Sequence, residues 1–175
     1  MPQAVWFPLS TRGGAPSGAS PGSSVRNLWL RTDTGQTGGV DLTERATYRH
    51  WSRDKVRWGD QDGARHINNV AYAEYLENAR AELIIGAVIP HKDPGTAFAV
   101  RRVVIEYLGM GRYPGEIEVG SCVTAIGNSS FTVGQAVFMG DQCLATGEAV
   151  HVHHRKGESL PLTERLRAAL EAELP

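Results

Sequence analysis

Two kinds of hydrophobic spacing stand side by side in this chain, and together they leave few ways to fold it. Over residues 70–88 apolar side chains recur at helical spacing. Tyr72, Tyr75, Leu76, Ala79, Leu83 and Ala87 form one stripe, and Val70, Ala81, Ile84 and Val88 form a second. Glu74, Asn78 and Glu82 keep only a narrow polar edge, so the spacing predicts a helix wrapped on several sides. Glu77 falls beside the second stripe, where a carboxylate needs a partner. Pro90, Pro94 and Gly95 end the helix, and the period then changes to two. Residues 98–108, 116–126, 130–139 and 144–153 read as four strands. Gly127-Asn128 and Gly140-Asp141 are turn dipeptides, so the last three should form an antiparallel meander. Residues 47–58 read as a first strand, and 163–173 as a terminal amphipathic helix started by Pro161 and Thr163. A curved antiparallel sheet around one central helix, of the α+β class, is the economical packing of these parts.

Composition narrows the function. At 41% apolar residues the chain supports a real core, and a net charge of -1 gives no bulk electrostatic case for nucleic-acid binding. No run of about 18 apolar residues occurs, so no membrane span is expected. Cys122 and Cys143 lack CxxC or CxxH contexts and read as small core residues of a reduced, cytoplasmic protein. Residues 1–45 differ from the rest. TRGGAPSGASPGSS is too poor in apolar groups to fold alone, so a disordered tail is expected over 1–45 and a domain over 46–175. Trp6, Phe7, Leu28, Trp29 and Leu30 are the tail residues able to dock. Arg12, Arg26 and Arg31 precede the first acid, Asp33; an acid-free, Ser-rich leader also fits organelle targeting, although no amphipathic helix is visible.

The chemistry concentrates between the first strand and the helix. Val56, Arg57 and Trp58 suit a half-buried strand, and Gly59 breaks it. Asp60, Asp62 and His66 follow in a loop, and Asn68 and Asn69 then offer side-chain oxygens as helix caps do. An acid, an imidazole and a helix N-terminus within ten residues are a set of parts for acyl transfer. Asp60 reads as a solvated turn acid or loop cap. Asp62, just before a helix whose N–H groups can polarise a carbonyl, is the catalytic candidate. His66 fits a structural or a functional role. Asp60-x-Asp62 is not a calcium loop, because the twelfth position is Ala71. His151 and His153 share a strand face, yet no third metal ligand is identifiable, and an exposed strand end is the simpler reading. GxSxG, GxxxxGK[ST] and GxGxxG do not occur.

RWGDQDGARHINNVAYAEYLENAR resembles the signature of hot-dog-fold acyl-CoA thioesterases of the 4-hydroxybenzoyl-CoA thioesterase type, R-W-x-D-x-D-x-x-G-H-V-N-N-x-x-Y-x-x-Y-x-E-x-A-R. Gly147-Glu148-Ala149-Val150 and Leu160-Pro161-Leu162 resemble that family's closing strand and tail, so the resemblance spans about residues 48–172. It implies a hot-dog fold and hydrolysis of acyl-CoA, with no cofactor. It also implies a homodimer with sites between subunits, often paired into a homotetramer. By the same resemblance Asp62 is the carboxylate that attacks the thioester or activates water. His66 and Asn68 fix the loop or the thioester, and the N–H groups of Asn69 and Val70 hold the oxyanion. Glu77 is a possible second carboxylate, since some hot-dog thioesterases use a helix acid. Two departures stand out. Ala64 occupies the place where plant acyl-ACP thioesterases carry an Asn, and Arg65 replaces the usual Gly. Arg65 sets a cation beside the acid and is a candidate for CoA phosphates. Two alternatives remain: an acyl-ACP thioesterase, and a non-catalytic acyl-CoA binder that kept the fold. The dehydratases of the same fold are not matched, because their His-to-Pro-Gly helix motif is absent.

Overall fold

The computed structural model describes residues 39–175. The leader's low complexity, its targeting reading and the docking of Trp6, Phe7, Leu28, Trp29 or Leu30 lie outside the described residues. Six strands and two helices make up the described part. They are β1 (His50–Lys55), α1 (Asn69–Leu83), β2 (Ala97–Tyr107), β3 (Glu116–Ile126), β4 (Ser130–Met139), β5 (Gln142–Arg155), the short β6 (Glu158–Ser159) and α2 (Glu164–Glu171). The sheet runs β1-β3-β4-β5-β2, antiparallel throughout, with β6 hanging from β5. It curls around α1, and this is a hot-dog fold. The helix continues past Leu83 through a wider π turn (Ile84–Val88) and a 3₁₀ turn (Ile89–His91) into the loop before β2. The β4–β5 hairpin closes on Gly140 at φ +58, paired Met139 to Gln142, as a two-residue turn requires.

Alternation along the strands sorts the core into layers. Ile117, Val119 and Val123 of β3, and Phe131, Val133 and Val137 of β4, are fully buried. Ile117, Val119 and Val137 pack with Tyr72, Tyr75, Leu76 and Ala79 of α1. Gly147 lets β5 close on the helix, since a Cβ there would stand 3.0 Å from Leu76 Cδ1. Val123, Phe131 and Val133 pack with Leu83 and Val88 and with Leu166 and Leu170 of α2. Thr163 caps α2 by accepting the Leu166 N–H at 3.3 Å. On the sheet's other face Tyr48 and Leu42 lie over Gly120 and Gly134, where a Cβ would collide with their side chains. Trp51, Phe138 and Cys122 complete that cluster, and Arg45 stacks on Trp51 at 4.3 Å while pairing with Glu118. Among the described residues, hydrogen-bonded structure is already present at Asp41, whose carboxylate accepts the Thr43 N–H and hydroxyl.

Three expectations need correcting. The first strand ends at Lys55, because Arg57 and Asp60 bond to each other and wind Trp58–Asp60 into a 3₁₀ turn. The helix is not wrapped along its whole length: of the second stripe Val88 is fully buried and Ile84 half-buried, but Val70 is 63% exposed and Ala81 is exposed too. His151 and His153 are not an exposed strand end but are buried, at 4% and 1%. The cause is a register shift at Leu144, where Val137 pairs with Ala145 but Phe138 with Cys143. The extra residue changes the phase of β5 and turns Ala149, His151 and His153 inward. His151 stacks on Phe131 at 5.1 Å, and His153 Nδ1 lies 3.0 Å from the Pro161 carbonyl oxygen.

Candidate active site

The loop before α1 is a miniature hairpin. Gln61 and Ile67 bridge, the Asp62 N–H donates to the His66 carbonyl at 2.8 Å, and the Arg65 N–H donates to the Asp62 carbonyl at 3.0 Å. Such a loop places its last residue in the left-handed region, usually as Gly. Arg65 takes that place at φ +63, so the hairpin keeps the backbone despite the change of residue. The hairpin is anchored below by Asp60, the one buried acid among the described residues. Its Oδ2 accepts the Arg57 N–H at 2.7 Å and the Tyr75 hydroxyl at 2.5 Å, and its carbonyl accepts the Asn68 N–H at 2.7 Å. The expectation of a solvated turn acid is corrected here. Asp60 is the loop's cap, buried because Tyr75 of α1 reaches it.

Asp62 sits at the hairpin's mouth, exposed. Its Oδ1 accepts the Ala64 N–H at 2.8 Å and the His66 N–H at 3.1 Å. The His66 and Ala64 amides hold the carboxyl below its ordinary range, so it is an ionised acceptor near neutral pH. One oxygen is tied to the backbone, and the two amides orient the other. The His66 imidazole meets Arg112, whose guanidinium lies 2.8 Å from Nε2. A guanidinium only donates, so Nε2 accepts and the proton of the neutral ring is on Nδ1. Arg112 comes from the loop between β2 and β3 and has no local motif to announce it. Only the tertiary fold brings it to His66.

The helix N-terminus completes the set. Asn68 is the N-cap, its Oδ1 accepting the Val70 N–H at 3.0 Å. That bond engages one of the two amides expected to hold an oxyanion. The Asn69 N–H donates to no group among the described residues, and so is the amide free to meet a ligand. The β2–β3 loop clamps this end of the helix. Ile67 donates to the Gly111 carbonyl at 2.9 Å, Gly111 donates to Tyr72 Oη at 3.3 Å, and Tyr107 Oη donates to the Asn69 carbonyl at 3.2 Å. Trp58 and Tyr113, both exposed, meet edge to face beside it. The fold thus gathers Asp62, His66, Asn68 and Asn69. Arg65 stays exposed on the hairpin's rim, and Glu77 lies about 12 Å further along the helix. Glu77 is exposed, and the neighbouring Arg80 is buried and donates instead to Gln135 at 3.2 Å. Among the described residues no three His, Cys, Asp or Glu side chains gather as a metal site, and no helix is long and apolar enough to cross a membrane.

Residues 56–170 match the family model of the thioesterase-like superfamily. The chain belongs to that superfamily. Solved structures agree. A Pseudomonas aeruginosa protein is 30% identical with a TM-score of 0.63, over 74% of this chain and 94% of its own. A Thermus thermophilus thioesterase, crystallised with coenzyme A and zinc, is 27% identical with a TM-score of 0.64, over 72% and 94%. A thioesterase-superfamily protein from Jannaschia is 25% identical with a TM-score of 0.67, over 75% and 87%. No curated relative matches the chain. Membership and these neighbours support thioester hydrolysis as the general chemistry.

Proposed function

We propose that this thioesterase-superfamily protein hydrolyses acyl-CoA, in the manner of the 4-hydroxybenzoyl-CoA thioesterase type, with Asp62 as its carboxylate. One observation carries the reading: an ionised carboxylate, oriented by two backbone amides, sits in a short hairpin that leads directly into a helix whose first N–H is unengaged among the described residues. Asp62 attacks the thioester carbonyl or takes a proton from an attacking water. In either route negative charge grows on the carbonyl oxygen, and Asn69 N–H at the positive end of α1 stabilises it. The Val70 N–H contributes only if it shares with Asn68. His66, held by Arg112, donates through Nδ1, and Arg65 and Arg112 supply positive charge for phosphates. The Thermus thioesterase bound to coenzyme A is consistent with that carrier.

The site lies open on one copy of the chain, and a second copy would exclude water from it. The reading therefore includes a homodimer, paired further or not. A hydrolysis panel over short, long and aryl acyl-CoAs, followed by thiol release and run beside the same acyl groups on ACP, tests it. Turnover of CoA thioesters that is lost in Asp62→Asn is expected. Tight binding without thiol release would mark a binder instead, and preference for ACP thioesters an acyl-ACP enzyme.

A further inference from the structure

Between the C-terminal half of α1 and the start of β2 lies a groove of about 370 Å³. Ile84, Ile85, Ile89, Phe98 and Val100 make its walls apolar. Two polar side chains of the core also line it. Arg80, 8% exposed, spends one of its five donors on Gln135 Oε1 at 3.2 Å. His151, 4% exposed, has an Nε2 buried with no hydrogen-bond partner among the described residues. A buried polar atom left unpaired is costly, so an unpaired imidazole nitrogen on a residue that lines a cavity marks a missing partner. Burial, with Arg80 adding to it, lowers the His151 ring to about 4, so at neutral pH it offers one N–H and one lone pair rather than a charge. Two rim charges complete the lining, Glu77 and Lys92. Glu77 acts on Arg80 through space and offsets part of its charge.

The groove is on the same open stripe of α1 as the site. Val70, Glu77, Ala81 and Ile85 follow one another along it, all exposed. From Asn69 to Arg80 is eleven steps of helix, or about 16 Å. A group whose carbonyl rests at Asn69 reaches Arg80 only through a long chain; a benzoyl ring stops far short. We propose that this groove receives the far end of a long acyl chain carrying a hydroxyl group, which bonds to Arg80 and His151. The proposal rests on the thioester-hydrolase reading above. A hydroxyl suits the pair because it accepts from the guanidinium while its own proton goes to the imidazole lone pair. An unsubstituted chain fills the same walls but leaves both polar groups unpaired, which is how such sites discriminate.

The test compares dodecanoyl-CoA, ω-hydroxydodecanoyl-CoA and the matching ω-carboxyl thioester on the full chain. Calorimetry of their non-hydrolysable thioether analogues runs in parallel. The expected kcat/KM ratio favours the hydroxyl over the plain chain by roughly tenfold or more, the worth of one hydrogen bond at a desolvated site. His151→Phe, which can still stack on Phe131, should abolish that ratio, and His151→Gln should restore part of it; both are first checked for a native melting curve. 4-Hydroxybenzoyl-CoA should gain nothing over benzoyl-CoA. Equal rates for the plain and hydroxylated chains, a ratio unmoved by His151→Phe, a preference for the carboxyl chain, or an advantage for hydroxybenzoyl would each overturn the proposal. If thioesters are hydrolysed without that ratio, the groove assignment fails and the enzymatic reading stands. If no thioester is hydrolysed, the analogues decide: tighter binding of the hydroxylated one by wild type, lost in His151→Phe, upholds the groove, and equal or no binding overturns it.

Discussion

Asp60 and Asp62 stand two residues apart, and the structure gives them opposite work. Asp62 faces solvent and is held ionised by two amides; Asp60 is buried under the loop and ties it to Tyr75. Asp62→Asn keeps the shape and removes charge and basicity, so the melting temperature should hold while kcat falls by at least about 10²-fold. The pH dependence follows from the same amides. The folded carboxyl titrates below its ordinary value, so the stability it adds is present above the unfolded value and lost only as pH falls through the lower, folded one. For catalysis, the acid limb of kcat/KM set by Asp62 should lie below the ordinary carboxylate range. An acid limb well above that would assign the limb to another group. Asp60 obeys a different rule. Asp60→Ala leaves the Arg57 N–H and the Tyr75 hydroxyl without their acceptor, at a cost of about 1–3 kcal/mol. Asp60→Asn, a neutral acceptor for a charged one, should cost about 1 kcal/mol. Urea denaturation of both variants checks this; unchanged midpoints would mean that Asp60 does not anchor the loop. Asp60 is consequently a poor inert control for Asp62, because activity lost there reports the loop's position.

At the scale of elements, what could be read from sequence was what rests on local spacing. β3 and β4 begin and end where alternation and the glycine turns place them, and Asn68 and Thr163 cap the helices they precede. What escaped is set by partners distant in sequence. Trp58 has the side chain of a strand residue, but the Asp60 carboxylate reaching back to Arg57 turns the backbone instead. The extra residue at Leu144 inverts β5, and no local pattern distinguishes a bulge among Cys, Leu and Ala. Arg112 reaches His66 only because the β2–β3 loop folds over the hairpin. The hairpin itself shows backbone overruling side-chain identity. Arg65 holds φ +63, which costs a non-glycine residue roughly 1–2 kcal/mol, while glycine costs about 0.5–1 kcal/mol in lost chain freedom. Arg65→Gly should therefore leave stability equal or raise it by up to about 1 kcal/mol, read from the denaturation midpoint. Its kinetic effect separates charge from conformation. A rise in KM alone indicates that the guanidinium binds phosphate, and unchanged kinetics would leave Arg65 as a backbone accommodation.

The molecule as a whole carries an unfinished surface. Among the described residues β2 ends the sheet on one side, and over its eleven residues only β5 pairs with it. Its register shifts between Val100 and Arg102, so that Val100 and then Val103, opposite His151 and Ala149, point to the helix side. The helix does not cover them: Val100 is 48% and Val103 47% exposed. Tyr107 on the strand and Val70, Ala81 and Ile85 on the open stripe of α1 extend the same apolar face. A long free edge beside such a face invites another strand, and a sheet that stays soluble must cover it. A second copy offers the same edge and the same face, and a two-fold axis through β2 would join them. We therefore expect a dimer, or a multiple of it, in multi-angle light scattering at assay concentration. Val103→Lys places a charge in the centre of that face. In a single chain the side chain is half exposed, so the substitution should change the stability of one copy by less than about 0.5 kcal/mol. In the dimer it buries an unpaired ammonium, which costs far more. The variant should run as a monomer with native circular dichroism, and acyl-CoA turnover should fall with dimer content as its concentration is lowered. A Val103→Lys protein that stays dimeric, or a monomer with full turnover, would show that the site is complete within one chain and that the open face serves something else.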